Sequence, residues 1–279
     1  MTKKIDMREV DTRDCIRVVT SNDFLKIEGL ADLSLNALKL LYFAISQCKK
    51  DDDIFYSCII KEKDLAKCWG ITKQTLYDVS EDITKELSDF VIRKNDLNQY
   101  NYIRKFNVPM FGIVVDDFDS KGNKIIQIAL NPFANELFLH LDKNFSQPLL
   151  CDFNKMKSVN SILIWHLIQV KLKSIKPGGN KIVTTRLSVN ELRVLTNNIT
   201  TYPDLKDFKK KVINQAIKDI KRSCNINVTC KSVKEGRNVI AYEFFMSDKF
   251  YIPEDQLSDK TKNAIIRAEN FKKKKLTNI

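Results

Sequence analysis

Histidine and glycine are both scarce in this 279-residue chain, and each shortage closes off a class of function. The two histidines, His140 and His166, lie 26 positions apart, so the paired-histidine metal site of a DNA-nicking enzyme cannot form in its usual way. The seven glycines are scattered, and none sits in a Gly-x-x-x-x-Gly-Lys-Ser/Thr loop, which argues against ATP-driven strand separation. Cys15, Cys48, Cys58, Cys68, Cys151, Cys224 and Cys230 include no Cys-x-x-Cys spacing. A zinc site is therefore not expected, and an odd cysteine count points to reduced thiols. No Gly-x-Ser-x-Gly or Cys–His arrangement supplies a nucleophile, and nothing near Tyr77 would activate its hydroxyl. No apolar run approaches the ~20 residues of a membrane helix. The first 14 residues lack a signal peptide's apolar core, so a cytoplasmic location is expected, with no membrane, metal or cofactor. What remains is the composition of a binding protein: 43% hydrophobic, 29% charged.

Its charge is unevenly placed. The net charge is +12, yet residues 1–150 carry 21 Lys/Arg against 23 Asp/Glu, and residues 151–279 carry 26 against 12. The whole basic excess lies in the second half, which marks that half for a polyanionic partner.

Residues 62–81 carry the most specific local pattern. A helix-turn-helix needs a small residue inside its first helix and, four positions later, a turn residue that tolerates positive φ. Ala66 and Gly70 meet both demands. Leu65, Trp69, Ile71, Leu76 and Val79 fall at the offsets that seal the crossing. Lys73, Gln74, Thr75 and Tyr77 then lie on the outward face of the second helix, where they can reach DNA. Asp78, Glu81 and Asp82 follow at once and would repel phosphates, so weaker DNA binding or a part in protein contact is expected of this helix.

Around this motif the pattern predicts a short strand at 17–20 and a helix at 22–27 capped by Ser21. An amphipathic helix capped by Ser34 follows, running to residue 48. Strands are expected at 54–60, 91–94, 100–116 and 124–130, and a short helix from Asn131 to residue 139. Helices followed by a hairpin describe a winged helix. A change of character at 143–158 suggests a domain boundary, after which the order repeats. A helix is expected at 159–173, a loop at 177–180 and a capping-box helix at 189–195 begun by Ser188 and Glu191. A long helix at 204–222 and a hairpin turning at Glu235-Gly236 complete the series. The expected fold is α+β: two tandem winged-helix domains, 1–142 and 151–248, with a basic tail at 249–279.

The 204–222 helix is two-faced. Leu205, Phe208, Val212, Ile213, Ala216, Ile217 and Ile220 form an apolar stripe. Lys206, Lys209, Lys210, Lys211, Asn214, Lys218, Lys221 and Arg222 face outward, interrupted only by Asp207 and Asp219. A basic helix in this slot suits the major groove, about 12 Å wide. Lys231, Lys234 and Arg237 flank the hairpin tip, where a wing would meet the backbone or minor groove. His166, Trp69 and Trp165 are expected in the core rather than at a site. The Lys272–Lys275 run is expected to be a solvated, frayed tail, one able to add sequence-independent phosphate attraction.

Several of these segments together resemble the iteron-binding plasmid replication initiators, tandem winged-helix Rep proteins. They are Val19-Thr20-Ser21-Asn22, the run from Leu33-Ser34-Leu35 to Leu40-Leu41, Asp64-Leu65-Ala66 with Leu76-Tyr77, and Val108-Pro109-Met110-Phe111. Asn131-Pro132, the run from Lys206 to Val212, Ala216-Ile217-Lys218-Asp219-Ile220 and Gly236-Arg237 complete the set, in order over about residues 15–247. The resemblance implies monomers on direct repeats of double-stranded origin DNA and homodimers that repress the protein's own gene. It also implies host replication proteins, a helicase or an initiator, as partners. By the same resemblance the second domain makes the main base contacts, and the first serves dimerisation and supporting DNA contact. A winged-helix repressor without a replication role is the competing reading.

Overall fold

The computed structural model describes residues 7–8, 11, 16–49, 52–55, 57–97, 103–173 and 182–249; the 177–180 loop and the tail beyond Lys249 lie outside these. The chain enters through β1 (Met7–Arg8) and β2 (Thr20–Ser21), followed by 3-10 turns at Asn22–Lys26 and Leu30–Asp32. The helix expected at 22–27 is thus a 3-10 turn. Ser21 makes no side-chain cap bond there, and five residues offer too few i→i−4 bonds to offset helix nucleation.

Helix α1 (Leu35–Ser46) begins where Ser34 Oγ accepts from Ala37 N at 3.2 Å. Glu86 holds that cap from another helix, accepting from Ser34 N and Ser34 Oγ at 2.6 Å each. From Ala37 to Ser46 every residue of α1 is buried, Lys39 included, so α1 is a central helix rather than the one-faced helix its periodicity suggests. Burial lowers the Lys39 pKa to about 8, with Asp219 of the second half opposing the shift.

β3 (Ser57–Lys61) leads into α2 (Glu62–Trp69) and α3 (Lys73–Asp89), the helix-turn-helix. Gly70 turns the chain at φ +65, a left-handed conformation that side chains disfavour, and its N–H bonds to carbonyls of α2. Thr72 Oγ1 then caps α3 by accepting from Thr75 N at 3.1 Å. Leu65, Ala66, Trp69 and Leu76 are buried at the crossing, as the pattern required. β4 (Val91–Leu97) and β5 (Ile103–Pro109) form an antiparallel hairpin, and β6 (Phe111–Phe118) and β7 (Lys124–Leu130) form a second. The single strand expected at 100–116 is therefore two. Met110 breaks it, its N–H donating to Phe90 O and its carbonyl accepting from Asn131 N, just after a proline that cannot donate. The sheet runs β1-β3-β7-β6, with β6 on an edge.

A 3-10 turn at Pro132–Ala134 opens α4 (Asn135–Phe138); β8 (Phe145–Ser146), paired with β2, and α5 (Leu150–Asn154) then occupy the stretch where a boundary was expected. α6 (Val159–Lys171), β9 (Ile182–Ser188) and α7 (Val189–Leu195) follow. After them come α8 (Leu205–Phe208), a π turn at Lys209–Ile213, α9 (Asn214–Cys224), β10 (Ile226–Glu235) and β11 (Asn238–Asp248). The expected long helix is thus continuous but widened by the π turn. β9 carried no expectation; its exposure alternates along the strand, with Leu187 its one fully buried residue.

The second sheet runs β10-β11-β9. In both halves a buried helix, a strand, two helices and a hairpin follow one another. In both, the first strand pairs antiparallel with the hairpin's second strand: β3 with β7, β9 with β11. This repetition of architecture is the tandem winged-helix fold read from the element order.

α6 packs on α9 and α7, and also on β8 and the 3-10 turns at Asn22–Lys26 and Leu30–Asp32. Its His166 is fully buried: Nδ1 lies 2.7 Å from Tyr42 Oη, and Nε2 lies 2.9 Å from Ser146 Oγ and 3.1 Å from Thr20 Oγ1. Trp165 is fully buried and donates to Asp152, and Trp69 is buried; all three residues are core, as anticipated.

Candidate nucleic-acid interface

In the second half, Asp204 caps α8 by accepting from Lys206 N at 2.7 Å. From there Lys206, Lys210, Lys211, Asn214, Lys218 and Lys221 are exposed along one side, while Phe208, Val212, Ile213, Ala216 and Ile220 are buried on the other. Two outward assignments need correction. Lys209 is half-buried: its Nζ donates to Ser232 Oγ of β10 at 3.0 Å and lies 5.9 Å from the Tyr242 ring centroid, so it ties the helix to the wing. Asp219 is buried at 2% exposure, accepting from Lys157 N at 2.7 Å and pairing with Arg222. Simple helical periodicity put it outward; Arg222 is a local partner three residues on, and tertiary packing adds the Lys157 N–H that completes the set and makes its burial tolerable. With Asp219 withdrawn, Asp207 is the one acid left on the exposed stripe of α8 and α9.

Lys234 and Arg237 are exposed at the β10–β11 tip, where Gly236 turns at φ +59. Lys231 is exposed lower on β10, its Nζ 5.1 Å from the Phe245 ring centroid. A lysine stripe on one helix thus lies beside a basic hairpin tip, a charge arrangement suited to a polyanion.

In the first half Lys73, Gln74, Thr75 and Tyr77 are all exposed on the opening turns of α3. Gln74 Nε2 donates to Asp78 Oδ1 at 2.7 Å, so part of the acid's hydrogen-bonding capacity is already used. A cleft between α3 and the β6–β7 tip is lined by Lys61, Lys63, Lys73, Lys121 and Lys124, with Glu62 and Asp119 as its acids. Lys124 Nζ lies 4.1 Å from the Tyr77 ring centroid and 3.1 Å from Asp116 Oδ2, which also accepts from Ser80 of α3. That chain fixes the wing's root to the recognition helix. At the tip, Asp119 accepts from the Asn123 side chain, Asn123 N and Lys121 N, which lowers its pKa. The sequence reading missed Lys121 and Lys124, because a charge count over a whole half averages away a cluster that folding assembles. Glu81 and Asp82 are exposed further along α3.

Among the described residues no group of histidines, cysteines and carboxylates could hold a metal, and no helix is long and apolar enough to cross a membrane.

No curated protein matches the chain. Among solved structures, a Pi initiator protein in complex with iteron DNA is similar at 21% identity and a TM-score of 0.69, covering 85% of this chain and 99% of that one. Domains 2 and 3 of RctB are matched at 12% identity and a TM-score of 0.36, over 69% of this chain and 75% of that one. The first of these likenesses is one of fold. Two family models describe the chain itself: the initiator replication protein WH1 model over residues 17–169, ending inside α6, and the initiator Rep protein WH2 model over residues 188–246. This chain, with its two successive winged helices, belongs to the initiator replication (Rep) protein family.

Proposed function

We propose that the chain initiates plasmid replication by binding direct repeats, the iterons, of double-stranded origin DNA. The observation that carries this reading is the doubled winged helix, with a lysine-rich recognition helix in the second copy and a lysine-lined cleft beside α3 in the first. The Pi protein, whose fold is shared, is seen on iteron DNA. In this reading residues 151–248 make the main base contacts, residues 1–142 give supporting contact and dimerisation, and the 249–279 tail adds phosphate attraction. The protein acts by binding and recruiting host replication proteins in the cytoplasm, without catalysis of its own. The test is a mobility shift with the DNA flanking the gene. Saturable binding to direct repeats of about 20 base pairs, two helical turns for two recognition helices, supports it. Binding confined to an inverted operator repeat would leave only a repressor.

The same reading includes a homodimer that represses the protein's own gene. Among the described residues β6 is an edge strand, and it carries Ile113, half-buried, and Val115, 41% exposed. An unpaired edge with apolar side chains is a template for a second copy, and a two-fold dimer matches an inverted repeat. Ile113→Lys, or Val115→Lys at the more exposed position, is expected to shift the protein to monomer, weaken operator repression and spare iteron binding. An unchanged sedimentation coefficient in a folded variant would rule this edge out.

A further inference from the structure

The turn that delivers α8 and α9 to the surface, residues 196–203, contains no helix or strand. Asn197, Asn198 and Thr196 each make one side-chain bond there, to Asp32, the Thr196 carbonyl and the Leu192 carbonyl, but one side chain, outside every DNA-facing position named above, spans it. Arg193, in the last turn of α7, donates through Nη1 to the carbonyls of Asn198 (2.8 Å) and Ile199 (3.3 Å). Through Nη2 it donates to those of Tyr202 (2.6 Å) and Pro203 (3.2 Å). Its guanidinium carbon lies 4.8 Å from the ring centroid of Phe208, the buried anchor of α8. The carbonyl of Arg193 itself accepts from Asn198 N at 2.9 Å, closing the turn from the other side. Four carbonyl dipoles thus converge on one cation, which reaches both ends of the turn and the first turn of the helix beyond it. Only a planar fork of donors spans such a set; an ammonium is a point charge and holds a subset.

We infer that Arg193 is a positioning residue for sequence recognition. By fixing the turn it sets the angle at which α8–α9 meets the duplex, so discrimination between the cognate repeat and other DNA depends on it although it touches neither bases nor phosphates. This rests on the reading of α8–α9 as the recognition helix. Affinity has two parts that respond differently: a salt-dependent term from phosphate contacts, and a base-reading term that requires the helix at the right angle. Loss of Arg193 removes the second and leaves the first.

The test uses the full chain with an iteron duplex and an unrelated duplex of equal length, titrated at several salt concentrations, comparing wild type with Arg193→Met and Arg193→Lys. Expected is a loss of roughly tenfold or more in iteron affinity for Arg193→Met, the range of one lost base contact. Affinity for the unrelated duplex and the salt slope stay unchanged, and Arg193→Lys restores binding only in part. Arg193→Lys keeps charge and length, and it carries the test if the Met variant does not fold by circular dichroism. Three results would overturn the inference: an unchanged ratio of iteron to unrelated binding, full rescue by lysine, or a salt slope lowered by about 1, which would mark Arg193 as a phosphate contact. Lys210→Ala serves as the comparator. If it also binds as wild type, the recognition-helix reading has failed; if it weakens binding while the Arg193 variants do not, the inference about Arg193 has failed.

Discussion

Replacing Lys206, Lys210 and Lys218 together by alanine is expected to weaken binding to the cognate repeat by at least about a hundredfold. All three are exposed, each about one helical turn or two from the next along the stripe, and none is ion-paired among the described residues. Each that meets a phosphate releases counterions, so its loss lowers the salt slope by about 1. Each that meets a base edge costs about 1–3 kcal/mol and relaxes specificity at that position. A combined loss of about 3 kcal/mol is near a hundredfold in affinity. Thermal stability should hardly move, because exposed substitutions of this kind stay within about 0.5 kcal/mol. Asn214→Ala tests base reading without a charge change and should leave the slope alone. Lys209→Ala should behave differently from its neighbours, since it loses the Ser232 bond that joins helix to wing. A triple variant that bound the repeat like wild type would remove α8–α9 from the interface.

The second large effect is on stability. His166 is fully buried with hydroxyls on both ring nitrogens: Tyr42 from α1, Thr20 from β2 and Ser146 from β8. Phe24, Tyr42 and Phe153 lie within 6 Å of its ring, centroid to centroid. His166→Ala opens a cavity and leaves buried hydroxyls without a partner, and should cost about 3–5 kcal/mol. Burial lowers the imidazole pKa from 6.5 to about 3, so the folded protein holds it neutral. The unfolded chain takes up a proton near pH 6.5 and the folded chain only near pH 3, so His166 destabilises the fold as pH drops between those values. The slope is at most about 1.4 kcal/mol per pH unit, and above pH 6.5 it vanishes. Urea titrations from pH 7 to 4 should show this fall. His166→Gln should flatten it relative to wild type while lowering stability at pH 7; an identical pH dependence in the variant would deny the histidine this role.

This histidine also shows where the two sources of information part. The sequence alone determined that it belongs to the core, because it sits in an apolar helix with no ligand partners in reach. It determined the helix-turn-helix at 62–81 as well, since Ala66, Gly70 and the sealing apolar residues are local requirements of one crossing. The order of elements sufficed for two winged helices, and the imbalance of charge supports the proposal that the second half meets DNA. Only tertiary structure decided which polar side chains those elements keep for themselves. Asp219 and Lys209 look outward by periodicity, yet Lys157, Arg222 and Ser232 turn them inward. Arg193 looks like an ordinary basic residue at a helix end until four carbonyls, five to ten positions later, close around it. Lys121 and Lys124 became a cleft with Lys73 only when β6 and β7 folded back beside α3. The physical reason is the range of the interactions. Caps, turns and amphipathic stripes are satisfied within a few residues and leave a periodic trace. The hydrogen bonds and charge clusters named here join groups outside any helical or strand period, whether a few positions apart or many, and their geometry exists only after the chain has closed.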